Sequence, residues 1–226
     1  MNRSPLGHEE TIVVLLAAGE GCRFGTLKQL AIIDDEPMVR RVAHTLLRLQ
    51  RPVLVMTGAG GEAVAAALAG LSVTCIENAD WRDGLGASLG AGIRAVSERF
   101  PGASAALVCL ADHPLLDARA LRAMIDRHAR KPERIFAADH AGKPGPPVLF
   151  PADCFPELAA WHGAEGAQAW LRRQGPRVER VPLDVTDVDT PADLDRVRQR
   201  LTQVHGCSTD PGQHRMRVVR PRTGST

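Results

Sequence analysis

Apolar and polar positions change in blocks along this chain, and the period of each block predicts its structure. Residues 11–17 form a near-continuous apolar run, the pattern of a strand buried on both faces. Val39, Val42, Leu46 and Leu49 recur at helical spacing, which predicts a helix over 37–49 with Pro37 in its first turn. Strands are expected at 52–57 and 72–76, on either side of an alanine-rich helix over 61–69. A helix over 86–100 and a strand over 105–110 follow, and Asp117 is placed to cap a helix over 118–129. Strands at 134–138 and 147–150, helices near 151–161 and 164–174, and a strand at 178–182 complete the middle of the chain. Thr190 and Pro191 then open a last helix as N-cap and first helical residue. From residue 204 the periodicity is lost, so the chain divides into a flexible N-terminus (1–10), one domain (11–203) and a disordered basic tail (204–226).

Strand and helix alternating at this interval predict a three-layer α/β/α architecture, a mainly parallel sheet with helices on both faces. Ligands in such folds sit beyond the carboxyl ends of the strands. The loops after 11–17, 72–76, 105–110 and 178–182 are therefore the ones to read for chemistry.

Composition narrows the function. A length of 226 residues with 44% hydrophobic and 24% charged positions suits one globular domain with a tail. The net charge is +2. From His205 onward four arginines (Arg215, Arg217, Arg220, Arg222) and Asp210 give +3, which leaves about −1 for residues 1–204 by difference. With 4% aromatic residues and no tyrosine, the body is not a nucleic-acid platform. Lysine occurs only at positions 28, 131 and 143, against 25 arginines among 28 basic residues. None of the five cysteines stands in a CxxC pair, and Cys75 and Cys109 fall in strand-like runs as expected buried hydrophobes. No signal segment or membrane-length apolar run is visible, so a reducing, cytoplasmic setting without membrane is expected.

Four loops carry chemistry. After the first strand come Gly19, Gly21 and Gly25, with Arg23 and Lys28 among them. Glycines let backbone N–H groups approach an anion, arginine forks onto phosphate, and lysine supplies a point charge. Gly25 is followed by Thr26, which excludes a P-loop, and Phe24 stands where a dinucleotide fingerprint needs its third glycine. The second loop, 78–89, places Gly84, Gly86 and Ser88 at a helix start, an arrangement that serves helix capping or anion binding. In the third, an apolar strand ends in Asp112-His113-Pro114, where a carboxylate either caps a turn or binds Mg²⁺ on a nucleotide's phosphates. The fourth holds Asp187, Asp189 and Asp193; Asp193 reads as a capping-box acid and Asp187 as a solvated turn residue.

The run Leu16-Ala17-Ala18-Gly19-Glu20-Gly21-Cys22-Arg23-Phe24-Gly25-Thr26-Leu27-Lys28 resembles the opening of the molybdopterin cytidylyltransferases, in the MobA-like NTP transferase superfamily. Phe24 stands for the usual Met, and Cys22 for a small residue. Asn78…Trp81…Gly84-Leu85…Ser88-Leu89, Leu110-Ala111-Asp112-His113-Pro114 and Asp187-Val188-Asp189-Thr190-Pro191 are similar to that family's later motifs, over roughly residues 11–203. The resemblance implies a Rossmann-like nucleotidyltransferase fold. It implies catalytic roles for Arg23 and Lys28, and nucleotide contacts at Ala17, Ala18, Gly19, Gly21, Gly25, Gly86 and Ser88. It makes Asp112 and Asp189 joint ligands of magnesium, or manganese. The implied reaction moves CMP from CTP, or NMP from another NTP, onto molybdopterin or another phosphate acceptor, with a xanthine-dehydrogenase-type molybdoenzyme as further partner.

The acceptor half matches less well. Pro146 stands for the family's His, Ala164 for its Asp and Gln168 for its Arg, while His113 stands for Gln and reads as a Gln-like spacer ahead of a base. A related transferase using GTP or a sugar- or alcohol-phosphate acceptor therefore stays open. So does a non-catalytic maturation protein that carries the finished cofactor.

Overall fold

The computed structural model describes residues 10–21 and 24–206. In chain order it holds β1 (Glu10–Leu16), β2 (Ile32–Ile33), β3 (Glu36–Pro37), α1 (Met38–Leu47), β4 (Val53–Thr57), α2 (Gly61–Ala67), β5 (Thr74–Glu77) and α3 (Leu85–Arg99). There follow β6 (Ala103–Leu110), α4 (Ala118–Arg130), β7 (Ile135–His140), β8 (Lys143–Pro151), α5 (Phe155–Ala159), α6 (Gln168–Arg173), β9 (Val178–Val181) and α7 (Pro191–Gly206).

Seven strands form the central sheet in the order β5-β4-β1-β6-β8-β7-β9. All are mutually parallel except β8, which runs antiparallel to β6 and β7. The period of β1 explains the layers. Val13 and Leu15 face one side, packed with Val42, Leu46, Val64 and Leu121 from α1, α2 and α4. Ile12, Val14 and Leu16 face the other, packed with Leu89, Ile93, Leu158 and Trp170 from α3, α5 and α6. Each fully buried aliphatic side chain of this kind contributes roughly 1.5–3 kcal/mol. A third cluster joins α7 to the small β2–β3 hairpin through Ile33, Met38, Val188, Leu194 and Val197.

The three-layer, mainly parallel expectation holds, and the departures have local causes. The β2–β3 hairpin turns on Asp34 and Asp35, both at positive φ (47° and 65°), too short a unit to show periodicity. Pro37 precedes α1 instead of opening it. The expected strand over 147–150 extends to all of β8, joined to β7 by the positive-φ pair Ala141-Gly142. Its register with β7 breaks between Ala137 and Ala138, opposite Pro146-Pro147, where the chain has no N–H to donate. The helix expected from 164 begins only at Gln168, because 160–167 runs as a glycine-bearing loop against α3. Cys75 is exposed, not buried, because β5 is the sheet's edge; Cys109 is buried as expected. α7 continues to Gly206, past the expected domain end, and the remainder of the expected tail lies outside the described residues. Among the described residues no helix is long and apolar enough to cross a membrane.

The level strand ends matter for the site. Leu16 is in register with both Met56 and Leu110, and Thr57 with Glu77. The loops after β1, β4, β5 and β6 consequently leave the sheet at one edge, with the start of β8 returning beside Leu110.

Candidate active site

The first loop is built by backbone ties. Ala17 N donates to Met56 O (2.9 Å) and Ala59 N to Ala18 O (3.1 Å), which buries both alanines against the end of β4. A short 3-10 helix over Lys28–Leu30 then brings Gln29 back. Its Nε2 donates to Ala17 O (3.2 Å) and to Gly19 O. Gly21 stands at φ 69°, and a Cβ there would meet Thr26 O at 2.8 Å, so only glycine allows the tight return that delivers Lys28. Gly25 is also left-handed (φ 79°) but has open space around it. Cys22 and Arg23 lie outside the described residues.

Lys28 closes the centre of the edge. Its Nζ donates to Asp112 Oδ2 at 2.6 Å and to Asp189 Oδ1 at 2.9 Å. Burial alone would lower the lysine's pKa, but the two carboxylates, Asp112 foremost, outweigh it and hold the ammonium above the ordinary lysine value. Val188 N donates to Asp112 O (3.0 Å), which ties the loop after β6 to the loop before α7. Asp189 is held from the other side, its N donating to Asp193 Oδ2 (3.2 Å). Asp193 also accepts from Thr190 N (2.8 Å), while its own N donates to Thr190 Oγ1 (3.3 Å): a reciprocal capping box with an aspartate in the acid's place. Asp112 Oδ1 is buried without a hydrogen-bond partner.

Two expectations change here. His113 is no spacer: it is 1% exposed, with Nε2 2.6 Å from Asp187 Oδ1 and 3.7 Å from Asp112 Oδ1. Asp187 is accordingly not merely a solvated turn residue. Its contact with His113 outweighs desolvation and holds its carboxyl below the usual aspartate value. The His113 ring lies 6.1 Å from that of His140, whose Nε2 donates to Pro146 O at 2.7 Å.

A cleft of about 410 Å³ opens in front of these groups, walled by Ala18, Gly19, Lys28, Trp81, Ser88 and Asp112 among others. The Ser88 hydroxyl accepts from Asn78 Nδ2 at 3.2 Å, and Arg82 stacks on Trp81 with its guanidinium carbon 4.4 Å from the ring centroid. Gly84, Leu85 and Ser88 bring the N-terminal turn of α3, and the positive end of its dipole, to this wall. Gly86 is placed differently from the rest. Its N donates to Gly163 O (3.1 Å), and an added Cβ would meet Glu165 O at 2.6 Å. In this structure its absent side chain admits the 160–167 loop, and its N–H is already used.

Ala18, Gly19, Lys28, Ser88 and Asp112 thus share one cleft, with Asp189 joined to them through Lys28, while Gly21 and Gly25 shape the loop from behind. Sequence reasoning missed Gln29, whose Oε1 is buried without a hydrogen-bond partner; its only signal is a polar residue beside Lys28. It also missed the His113–Asp187 contact, which no local spacing encodes. Pro146 and Gln168 border a second, apolar chamber, and Ala164 packs its backbone against Gly84. Cys154 is not a poised nucleophile, since burial pushes its thiol up to about 12.

A MobA-like NTP transferase domain is matched across residues 13–178. A curated relative, nicotine blue oxidoreductase of Paenarthrobacter nicotinovorans, is 30% identical over 196 residues, which is 82% of this chain and 92% of that protein. The crystal structure of Rv0371c from Mycobacterium tuberculosis H37Rv superposes with a TM-score of 0.74 at 27% identity, covering 84% of this chain and 97% of that one. The same protein's manganese complex gives 0.70 at 25% identity, over 84% of this chain and 98% of that one. A nucleotidyl transferase from Methanothermobacter gives 0.73 at 21% identity, covering 87% of this chain and all of that one, a likeness of fold alone.

Proposed function

The chain belongs to the MobA-like NTP transferase family, and from that premise we propose that it is a nucleotidyltransferase. The reaction joins an NMP to a phosphate-bearing acceptor. An oxygen of the acceptor phosphate attacks the α-phosphorus of an NTP, the bond to the bridging oxygen breaks, and pyrophosphate leaves. CTP is the first candidate donor and molybdopterin the first candidate acceptor, both from the resemblance of the Ala17-Ala18-Gly19 loop and its companion motifs. The observation that carries the proposal is the Lys28 ammonium clasped between Asp112 and Asp189 beside the 410 Å³ cleft.

Each group has a role that its position supports. Lys28, at the bottom of a glycine loop, donates to phosphate oxygens and stabilises the charge that grows on the leaving pyrophosphate. Arg23 joins it by its place in the same loop. The Ser88 hydroxyl, oriented by Asn78, and the first turn of α3 offer donors to the nucleotide. Trp81 presents an aromatic wall. Positioning and electrostatics then supply the rate, with no protein nucleophile.

The carboxylates fit a hard divalent cation. Asp112 and Asp189 come from different loops, and Asp112 Oδ1 is buried without a hydrogen-bond partner. Among the described residues no group of three His, Cys, Asp or Glu could hold a metal, so the protein offers two carboxylates and leaves the remaining positions to water and phosphate. Asp112 and Asp189 would hold Mg²⁺ or Mn²⁺, which when bound supplies neutralising charge to the phosphates.

The test is pyrophosphate release with each of the four NTPs and molybdopterin, extended to sugar- and alcohol-phosphate acceptors. CTP with molybdopterin is expected to release pyrophosphate and yield the dinucleotide. Release with any pair excludes a non-catalytic carrier; silence with every pair refutes the transferase. A second reading has one specific support, the near full-length relative named an oxidoreductase. Redox turnover of nicotine blue, without pyrophosphate release, would favour it.

A further inference from the structure

The loop between β5 and α3 carries a cation with no role in the steps above. Arg82 lines the 410 Å³ cleft from a short 3-10 turn over Trp81–Asp83. That turn is braced at both ends: Trp81 N donates to Asn78 O (3.3 Å), Asp83 N to Asp80 O (3.0 Å) and Gly84 N to Trp81 O (3.1 Å). The guanidinium is steadied in turn by stacking on Trp81, 4.4 Å from the ring centroid. The indole leans on the loop after β1. A Cβ at Gly58 would meet Trp81 Cβ at 2.6 Å and Ala18 O at 2.8 Å, so the bare backbone there lets Trp81 close on Ala18. Arg82 and Lys28 thus reach one cleft from two loops that meet at Ala18 and Gly58.

We propose that Arg82 is a phosphate-binding residue of the nucleotide site and takes the terminal phosphates of the NTP; the assignment rests on the transferase reading above. The charges argue for it. Lys28 and Arg82 are the cations among the residues lining the cleft. The Lys28 ammonium is shared by Asp112 and Asp189. Arg82 is exposed, and among the described residues no carboxylate pairs with it, although Asp80 and Asp83 stand close in sequence. Its charge is therefore open to an anion that enters the cleft. The chemistry argues for phosphate. A guanidinium forks onto two phosphate oxygens, and stacking on an aromatic face leaves its N–H edge free to do so. Because the stack already orders the side chain, little further freedom is lost when the anion arrives. The position argues for the nucleotide. Trp81, which carries Arg82, rests on the glycine loop, the part of the site read as the phosphate cradle. Lys28 and the carboxylates mark the reacting end, which leaves Arg82 for the far phosphates that depart together as pyrophosphate. Affinity from this contact grows with the number of phosphates and is indifferent to the base.

Calorimetric titration of the full chain with each NTP, with the matching NMP and with inorganic tripolyphosphate, all with Mg²⁺, tests this. The Arg82 side chain is exposed, so Arg82→Gln leaves the core untouched and should melt with the wild type. It should weaken the tightest-binding NTP and tripolyphosphate about tenfold or more, and the matching NMP by less than about twofold. Arg82→Lys keeps the charge and loses the fork, so its NTP affinity should fall between those of the wild type and Arg82→Gln. The gap between wild type and Arg82→Gln should narrow as salt rises from about 0.05 M to about 0.5 M, because the contact is exposed. Equal losses for NTP and NMP, an NTP affinity that Arg82→Gln leaves unchanged, or a gap indifferent to salt each overturns the proposal. Pyrophosphate release separates it from the reading on which it rests. NTP binding that depends on Arg82, with no release from any NTP and acceptor, refutes the transferase and leaves Arg82 standing. Release in which Arg82→Gln raises the KM of the acceptor and not that of the NTP refutes the role of Arg82 and leaves the transferase standing.

Discussion

Replacing Lys28 by methionine keeps the stem and removes the charge that two carboxylates share. Both Asp112 and Asp189 lie within hydrogen-bonding distance of Nζ, so without it they face each other. Two unit charges roughly 5 Å apart at an effective dielectric constant near 20 repel by about 3 kcal/mol. The carboxylate side chains are 17% and 34% exposed, so solvent and salt reduce this to about 1–2 kcal/mol. A domain of this size shifts its melting temperature by roughly 2–4 °C per kcal/mol, so metal-free Lys28→Met should melt about 2–8 °C below the wild type. The sign with pH follows from the raised lysine value: the stabilisation is fully present below the unfolded lysine pKa of about 10.4 and is lost only as pH rises through the higher folded value. Saturating Mn²⁺ should raise the melting temperature of the variant more than that of the wild type, where the ammonium competes for the same oxygens. Turnover should fall by about 10²–10³, the usual effect of losing one preorganised charge donor. Scanning calorimetry with and without Mn²⁺, beside pyrophosphate release, reads all three quantities. Unchanged melting in chelator would show that the ammonium does not hold the carboxylates together. Turnover within threefold of wild type would remove Lys28 from the transition state.

Asp112→Asn and Asp189→Asn should each abolish turnover, and the double variant should be little worse than either, because one ion is lost in all three; additive rate losses, or full activity in a chelator, would refute a shared ion. The Asp187–His113 contact depresses the Asp187 carboxyl, so its stabilisation is present above the unfolded value of about pH 3.9 and is lost as pH falls through the lower folded value. Asp187→Asn should therefore flatten the acid limb of the melting curve below about pH 4, and superimposable limbs would count against the contact. Asp193→Ala removes the capping acid of α7 and should cost about 1 kcal/mol, read by denaturant unfolding; no change would mean that water satisfies the same N–H groups. Gly86→Ala drives a methyl group toward Glu165 O and Gly163 O, at 2.6 and 2.8 Å, and should cost about 1–3 kcal/mol by parting α3 from the 160–167 loop. A variant that melts like the wild type would show that the loop gives way freely.

The sequence by itself determined whatever its signals encode over a few residues. The apolar run of β1 announced a doubly buried strand because both faces of that strand need apolar side chains. The Thr190…Asp193 spacing announced the cap of α7 because its hydrogen bonds span three positions. The glycine loop and the isolated lysine were legible for the same reason, though what Lys28 touches was not. Asp112 and Asp189 lie 84 and 161 positions from it; the level ends of β1 and β6 bring Lys28 and Asp112 to one edge, and the bond from Val188 N to Asp112 O draws the segment before α7 across to them. Tertiary structure also decided that His113 and Asp187 meet, that Gly86 serves packing, and that prolines 146 and 147 sit within an antiparallel strand. It exposed Cys75, whose neighbours resemble those of a buried strand, by putting β5 at the sheet's rim. A local pattern states which face of an element is apolar. It carries no information about which distant element will cover that face, or which charge will be waiting across the edge, because those depend on strand order and register, set by the packing of the whole chain.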